Sequence, residues 1–393
     1  MNRKLKRNVP LDYLSIFITN LNMQGSIWVL YLAFRGMSLM QIGLLEGIFH
    51  ATSILCEVPS GALADLVGRR KSMLLSRLCI TVSCIVMLFS KSFWLFALSF
   101  VIQALGYNLN SGSEEALVYD SMKALDNEAG YLKVSGRINM LIEVSQAIAT
   151  VAGGVLAEYS YFWCYVACTV ISLLAFVPVL FMTEPPREAH EHTNTVLKLI
   201  SSHFSESFRI LTGDLRILKT VTFFSVVFAA HTLLFFYSQQ YFYDLGYNKI
   251  QISIIMLFAG LISCAGALSS ESLYVRLGDK VNTLSALFIA ATMICYGFKI
   301  PMLAIVIFIA SNFFNALLYP IESNTLNKLI PSNQRATLIS VNSMFFSVVM
   351  ILTFPLAGGL ADLLTLPTVL MVLGVLLAAF SLIRCRPRKG FDR

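Results

Sequence analysis

The chain has 393 residues, of which 57% are hydrophobic and only 13% charged, with a mean hydropathy of +0.73 and a formal charge of +7. A water-soluble domain of this length covers its core with far more charge, so the composition excludes a soluble catalytic domain and points to a protein embedded in lipid. The cation surplus calls for no nucleic acid, because basic loops facing an anionic leaflet account for it.

Breaking the apolar runs at glycine, proline and charge clusters predicts twelve membrane-spanning helices. They lie near 11–34, 39–65, 72–90, 93–119, 138–159, 161–182, 217–243, 250–274, 281–299, 301–327, 336–361 and 366–384. Each is long enough to cross roughly 30 Å of hydrocarbon at about 1.5 Å per residue. The runs are too long for transmembrane β-strands and do not alternate. The expected class is therefore an all-α integral membrane protein. The basic N-terminus runs straight into the first span without a small-residue cleavage site, so that span is expected to be retained.

Orientation follows from the cations. With both termini cytoplasmic, the inner segments hold Arg3 to Arg7, Arg69 to Lys71, Lys123, Lys133, Arg137, the cations of 184–219, Arg276, Lys280, Lys328, Arg335 and the tail from Arg384. Outside stand Arg35, Lys91, Lys249 and Lys299, with Arg77 inside a span. This asymmetry sets the expected topology, a multi-pass protein of the cell membrane.

The longest polar interval, 184–216, divides the spans six and six. The expected organisation is a bundle over 1–183, a cytoplasmic linker over 184–216 and a second bundle over 217–393. Internal echoes support a duplication: VAGGVLAE around Gly153 matches PLAGGLAD around Gly358, and LVGRRKS near Gly68 matches VRLGDKV near Gly278. Within the linker, TVLKLISSHFSESFRIL (195–211) has apolar residues near helical spacing and is expected along the membrane surface.

Ionisable groups inside a bilayer cost several kcal/mol unless they face water or a partner, so their helical phase is informative. On the second span Glu46, His50, Ser53 and Glu57 share one face. On the fourth, Gln103, Tyr107, Asn110 and Glu114 do the same, and on the fifth Asn139, Glu143, Gln146 and Thr150 repeat it. The second half is milder, with Asn312, Asn315, Tyr319 and Glu322 aligned on the tenth span and His231 near the middle of the seventh. Candidate proton or cation sites are Glu46, Glu57, Glu114, Glu143 and His50. Candidate cavity residues are Asn20, Gln24, Asn110, Gln146, His231, Tyr237, Asn315 and Tyr319. Bland alternatives stay open: Glu115 can pair between helices, Glu57 and Glu322 can be solvated near the span ends, and both histidines can be packing residues.

The cysteines read as small apolar fillers without metal-ligand spacing, and no metal or cofactor is expected. Adjacent acids in GSEEALVYD diverge on a helix and cannot flank one bond, and no G-x-x-x-x-G-K-[ST] loop is present. An enzyme is not expected.

The stretch EVPSGALADLVGRRKS, 57–72, places Gly61, Leu63, Ala64, Asp65, Gly68, Arg69 and Arg70 between the second and third spans. These residues resemble the G-x-L-A-D-x-x-G-R-[RK] signature of the major facilitator superfamily (MFS), and LYVRLGDK resembles its weaker second copy. The resemblance implies two pseudo-symmetric six-helix bundles and alternating access. It further implies that Asp65 faces the N-terminus of the eleventh span and that Arg69 reaches Asp120, a cytoplasmic latch with Gly61, Gly68 and Arg70. Arg70 and Lys71 can equally be positive-inside anchors. With Glu57 and Pro59 the motif becomes E-x-P-x5-D-x3-R-R, which resembles a group of Gram-positive drug exporters. Two family features are missing: Ile102 stands where an arginine precedes Gly106 by four, and Ala149 to Gly154 keeps two glycines of a helix-five kink without its proline.

The expected function is secondary active transport: proton-coupled export of a small amphipathic or cationic compound by a monomer. The alternative is uptake or exchange of a small polar nutrient, and a third class is a non-transporting membrane receptor or assembly factor.

Overall fold

The computed structural model describes residues 2–186, 205, 209, 213–329 and 335–385, so the surface segment expected at 195–211 lies outside the described residues apart from two positions. Every regular element among the described residues is a helix. They are α1 (Asn2–Leu5), α2 (Asn8–Asn20), α3 (Trp28–Phe34), α4 (Leu39–Val67), α5 (Arg69–Phe89), α6 (Phe93–Asn110), α7 (Ser113–Lys123), α8 (Tyr131–Tyr159), α9 (Tyr161–Leu174), α10 (Phe176–Phe181), α11 (Leu215–Asp244), α12 (Lys249–Leu277), α13 (Lys280–Tyr296), α14 (Pro301–Leu329), α15 (Arg335–Leu363) and α16 (Leu366–Cys385). Among the described residues, ten helices are long and apolar enough to cross a membrane, and α13 is a shorter apolar helix.

The first predicted span is interrupted. Between α2 and α3 lies a 3₁₀ turn, Met23–Ser26, where the Asn22 side chain accepts a hydrogen bond from the Gln24 amide at 3.2 Å. The polar run Asn20 to Ser26 supplies side chains that compete with the helix ladder, which is why the span breaks there. The fourth span is also divided, at Gly112, whose φ of +72° belongs to the left-handed region.

Two compact units emerge, one formed by Met1–Tyr31 with Leu45–Ser205, the other by Leu32–Leu44 with Glu206–Arg393. In the first, α5 and α6 are joined by serines that hand their hydroxyls to backbone: Ser72 to the Leu109 carbonyl and Ser76 to the Gly106 carbonyl, both at 2.7 Å. Ser83 and Ser99 bond to each other and to each other's carbonyls. Such pairs satisfy buried hydroxyls where lipid offers no partner, and small residues let the helices approach. The broken segment rests on α8, where a Cβ at Gly153 would collide with the Met23 carbonyl oxygen.

The second unit has an aromatic core. Tyr241 stacks on Tyr296 with centroids 4.0 Å apart, and Phe242 packs edge-on against Phe308 at 5.6 Å. The start of α4 belongs to this unit: the Leu39 and Met40 amides donate to the two oxygens of Asp362 at 3.0 and 2.9 Å. The Tyr237 hydroxyl donates to the carbonyls of Leu39 and Phe354 at 3.2 and 3.3 Å. Prolines sit inside α4 (Pro59), α14 (Pro320) and α15 (Pro355).

Helices α12 and α14 meet where a Cβ at Gly266 would strike the Phe313 carbonyl oxygen, whereas nothing lies within 4 Å of one at Gly260. Gly266→Ala is therefore expected to destabilise the protein by about 1–3 kcal/mol through overpacking. Gly260→Ala on the same helix should change stability by no more than about 1 kcal/mol. Thermal unfolding in detergent checks the pair.

Candidate functional site

Helices α2, α5 and α7 of the first unit bring buried charge together. Arg77 on α5 has a side chain only 3% exposed and pairs with Glu114 of α7, Nη2 to Oε1, at 2.9 Å. The same nitrogen donates to the Ser15 hydroxyl of α2 at 3.3 Å, and that hydroxyl in turn donates to Glu114 at 3.4 Å. Asn110, on the other side of the Gly112 break, donates to the second Glu114 oxygen at 2.8 Å. Glu114 and Glu115 occupy the first turn of α7, where the partial positive charge of a helix N-terminus favours carboxylates.

Asp12 lies three residues before Ser15 and so on the same face of α2. It is fully buried, and neither carboxyl oxygen has a hydrogen-bond partner among the described residues. It lines a cavity of about 280 Å³ together with Asn20, Asn110, Glu114, Glu115, Tyr131 and Asn139. Glu115 is exposed and accepts from the Tyr131 hydroxyl at 3.0 Å. The cavity thus presents three carboxylates and several amide or hydroxyl groups, and one of the carboxylates, Glu114, is paired with Arg77.

The signature turn is built as a junction of helix ends. Gly68, with φ +107°, reverses the chain before α5. The Glu184 carboxylate accepts from the Arg69 and Arg70 amides at 2.8 and 2.9 Å, closing the open N-terminus of α5. The Arg69 guanidinium pairs with Asp120 and donates to the Ala116 carbonyl at 2.7 Å. Arg70 donates to the Leu180 and Val179 carbonyls at the end of α10, at 2.6 and 3.2 Å. Gly61 and Asp65 are exposed. The side chains at the start of α15, the partner implied for Asp65, lie outside the described residues.

The other candidates make contacts of their own. Glu46 and His50 face each other on α4 at 3.6 Å, both partly buried, as is Glu57. Ser53 meets Asn108 of α6 at 2.9 Å rather than a member of the Gln103 to Glu114 stripe. Glu143 is exposed on α8, and Gln146, also exposed, donates to Asn20 at 3.3 Å. Gln24 is buried. In the second unit His231 is buried with Nε2 lacking a hydrogen-bond partner among the described residues, and Asn315 has an unpartnered Oδ1. Tyr319 stacks on Phe228 with centroids 4.3 Å apart. Tyr237, expected to line a cavity, is instead a core residue with no exposure and its hydroxyl on backbone carbonyls.

Asp12, Arg77 and Glu184 are the residues that periodic stripes overlooked. The signal for two of them was available: each is an ionisable side chain inside an apolar run, which lipid penalises unless a partner is present.

A bundle of long apolar helices carrying a buried ion pair beside a polar cavity defines a membrane transport protein. Residues 13–298 match the Major Facilitator Superfamily, and the chain belongs to that superfamily, a family of transporters rather than enzymes. It is 24% identical over 368 residues to an uncharacterized MFS-type transporter, YxaM, of Bacillus subtilis (strain 168), covering 89% of this chain and 88% of that one. Among solved structures, a mutant of the nucleoside transporter NupG superposes with a TM-score of 0.82 at 13% identity, covering 97% of this chain and all of that one. A D-xylose-proton symporter gives 0.68 at 16% identity, with 96% and 97% covered. These likenesses are of fold.

Removing one partner of a buried pair strands the other. Arg77→Met is expected to cost about 3–5 kcal/mol, and adding Glu114→Gln should recover most of that loss. A double-mutant cycle of unfolding free energies checks it.

Proposed function

We propose that the protein is a proton-coupled exporter of a small cationic or amphipathic compound, working by alternating access. Two six-helix halves, 1–183 and 217–393, would move about the linker 184–216, giving twelve spans in a cell membrane with both termini cytoplasmic and a monomer as the working unit. The observation that carries this reading is the cavity lined by Asp12, Glu114 and Glu115, of which, among the described residues, only Glu114 is paired with a guanidinium, that of Arg77. An acid-rich, partly dry site holds either protons or a cation, and a site that exchanges one for the other runs a cation outward against protons moving in. Tyr131 offers a ring for stacking on an organic cation. The Arg69–Asp120 pair with Glu184 serves as the inner latch, closed in one state and broken in the other.

A second reading, uptake of a small polar nutrient, is supported by Asn20, Asn110 and Asn139 on the cavity wall, which supply hydrogen bonds to a neutral solute. Reconstituted vesicles with an imposed pH gradient separate the two. Export by exchange predicts proton flux opposite to the flux of an added organic cation, and Glu114→Gln should reduce it by about tenfold or more. Proton flux in the same direction as a neutral polar solute, with none for cations, would replace the first reading by the second.

A further inference from the structure

We propose that Asp12 is the residue that carries the coupling proton, protonated in the state seen here and exchanging that proton with water through the cavity it lines. This rests on the proton-coupled reading above and assigns it to one side chain.

The argument is one of partners. Each carboxylate near Arg77 can be followed to its compensation. Glu114 has the guanidinium at 2.9 Å, the Asn110 amide at 2.8 Å and the Ser15 hydroxyl at 3.4 Å, so its negative charge is met on both oxygens. Glu115 is exposed and has the Tyr131 hydroxyl. Asp12 has none of these: it is fully buried, and both oxygens lack a hydrogen-bond partner among the described residues. An ionised carboxylate in that position would have no protein donor among the described residues while facing the negative charge of Glu114. A neutral carboxyl group avoids both penalties.

Among the described residues, the surrounding elements supply no further cation. From α5 comes Arg77, already paired with Glu114; from α7 come Glu114 and Glu115; from α8 comes Tyr131, while Lys133, Arg137 and Glu143 on the same helix are exposed. Helix α9 brings only tyrosine and cysteine among titratable groups, α10 brings none, and Arg3, Lys4, Lys6 and Arg7 before α2 are exposed. The arrangement therefore holds one permanent ion pair and one carboxyl whose charge is left to the occupant of the cavity. When the Asp12 O–H bond breaks, the proton passes to cavity water and on to bulk. The resulting carboxylate is then compensated by a cation in the cavity.

Infrared spectroscopy of the purified protein in detergent tests the protonation directly and needs no transported solute. The wild type should show a protonated-carboxyl C=O stretch at neutral pH that shifts in D2O. The band should lose intensity in Asp12→Asn, leaving only what buried Glu322 contributes, and keep it in Glu114→Gln. A band undiminished in Asp12→Asn, or one that does not respond to D2O, overturns the proposal. In the pH-gradient vesicles, solute movement in Asp12→Asn should no longer follow the imposed gradient, and Asp12→Glu, which keeps a carboxyl, should regain part of the response. A merely structural role would lower thermal stability in both variants and leave the pH response of transport in place. If wild-type vesicles couple no solute to protons, the exporter reading fails while the infrared result still decides whether Asp12 is protonated.

Discussion

An arginine only 2% exposed inside an apolar helix bundle must have an acid at hydrogen-bond distance, and much of the first unit is arranged around that requirement. Arg77 obtains its acid from α7, which presents Glu114 in its first turn because the helix is interrupted at Gly112 and a new one starts there. The break leaves Asn110 on one side and Glu114 on the other, four residues apart yet hydrogen-bonded. Ser15 joins α2 to the same pair, and through that contact Asp12 is brought to the rim of the ion pair without becoming part of it. The carboxylate that neutralises this arginine is also part of the wall of a polar cavity.

The same logic operates at helix ends. Two carboxylates distant in sequence close the N-termini of two helices: Glu184 holds the amides of Arg69 and Arg70, and Asp362 those of Leu39 and Met40. Asn8 ties the chain after α10 by donating to the Thr183 carbonyl at 2.7 Å and accepting from its amide at 2.8 Å. Each carboxylate contact satisfies backbone amides that a helix N-terminus leaves open, and the carboxylate there also meets the positive end of the helix dipole. The signature turn draws its rigidity from this network as much as from the cations for which it is recognised.

The helical class and the turn at Gly68 were legible in the sequence because each leaves a periodic or motif-level trace, whereas the stripe from Gln103 to Glu114 is cut by the break at Gly112. The Arg69–Asp120 pair was implied by resemblance, and the structure sets the two side chains together. What escaped was whatever depends on a partner remote in sequence. Asp12 and Arg77 belong to no stripe, so periodicity passes over them, although a lone charge in an apolar run is itself a marker. The interruption at Asn22 was written in a dense polar stretch that a hydropathy window averages away. Tyr237 misled because a mid-span tyrosine reads as polar lining, whereas here its hydroxyl serves two backbone carbonyls in the core.

That tyrosine sits beside a point of mechanical compliance. Pro355 has no N–H to give to the Ile351 carbonyl, so α15 lacks one rung of its ladder there and bends more cheaply than its neighbours. The adjacent Phe354 carbonyl is held from outside the helix by the Tyr237 hydroxyl, which has the Leu39 carbonyl as a second acceptor. Flexure at this joint can release the first bond without stranding the hydroxyl. The helix therefore has a joint at which the Tyr237 hydroxyl keeps an acceptor as it flexes.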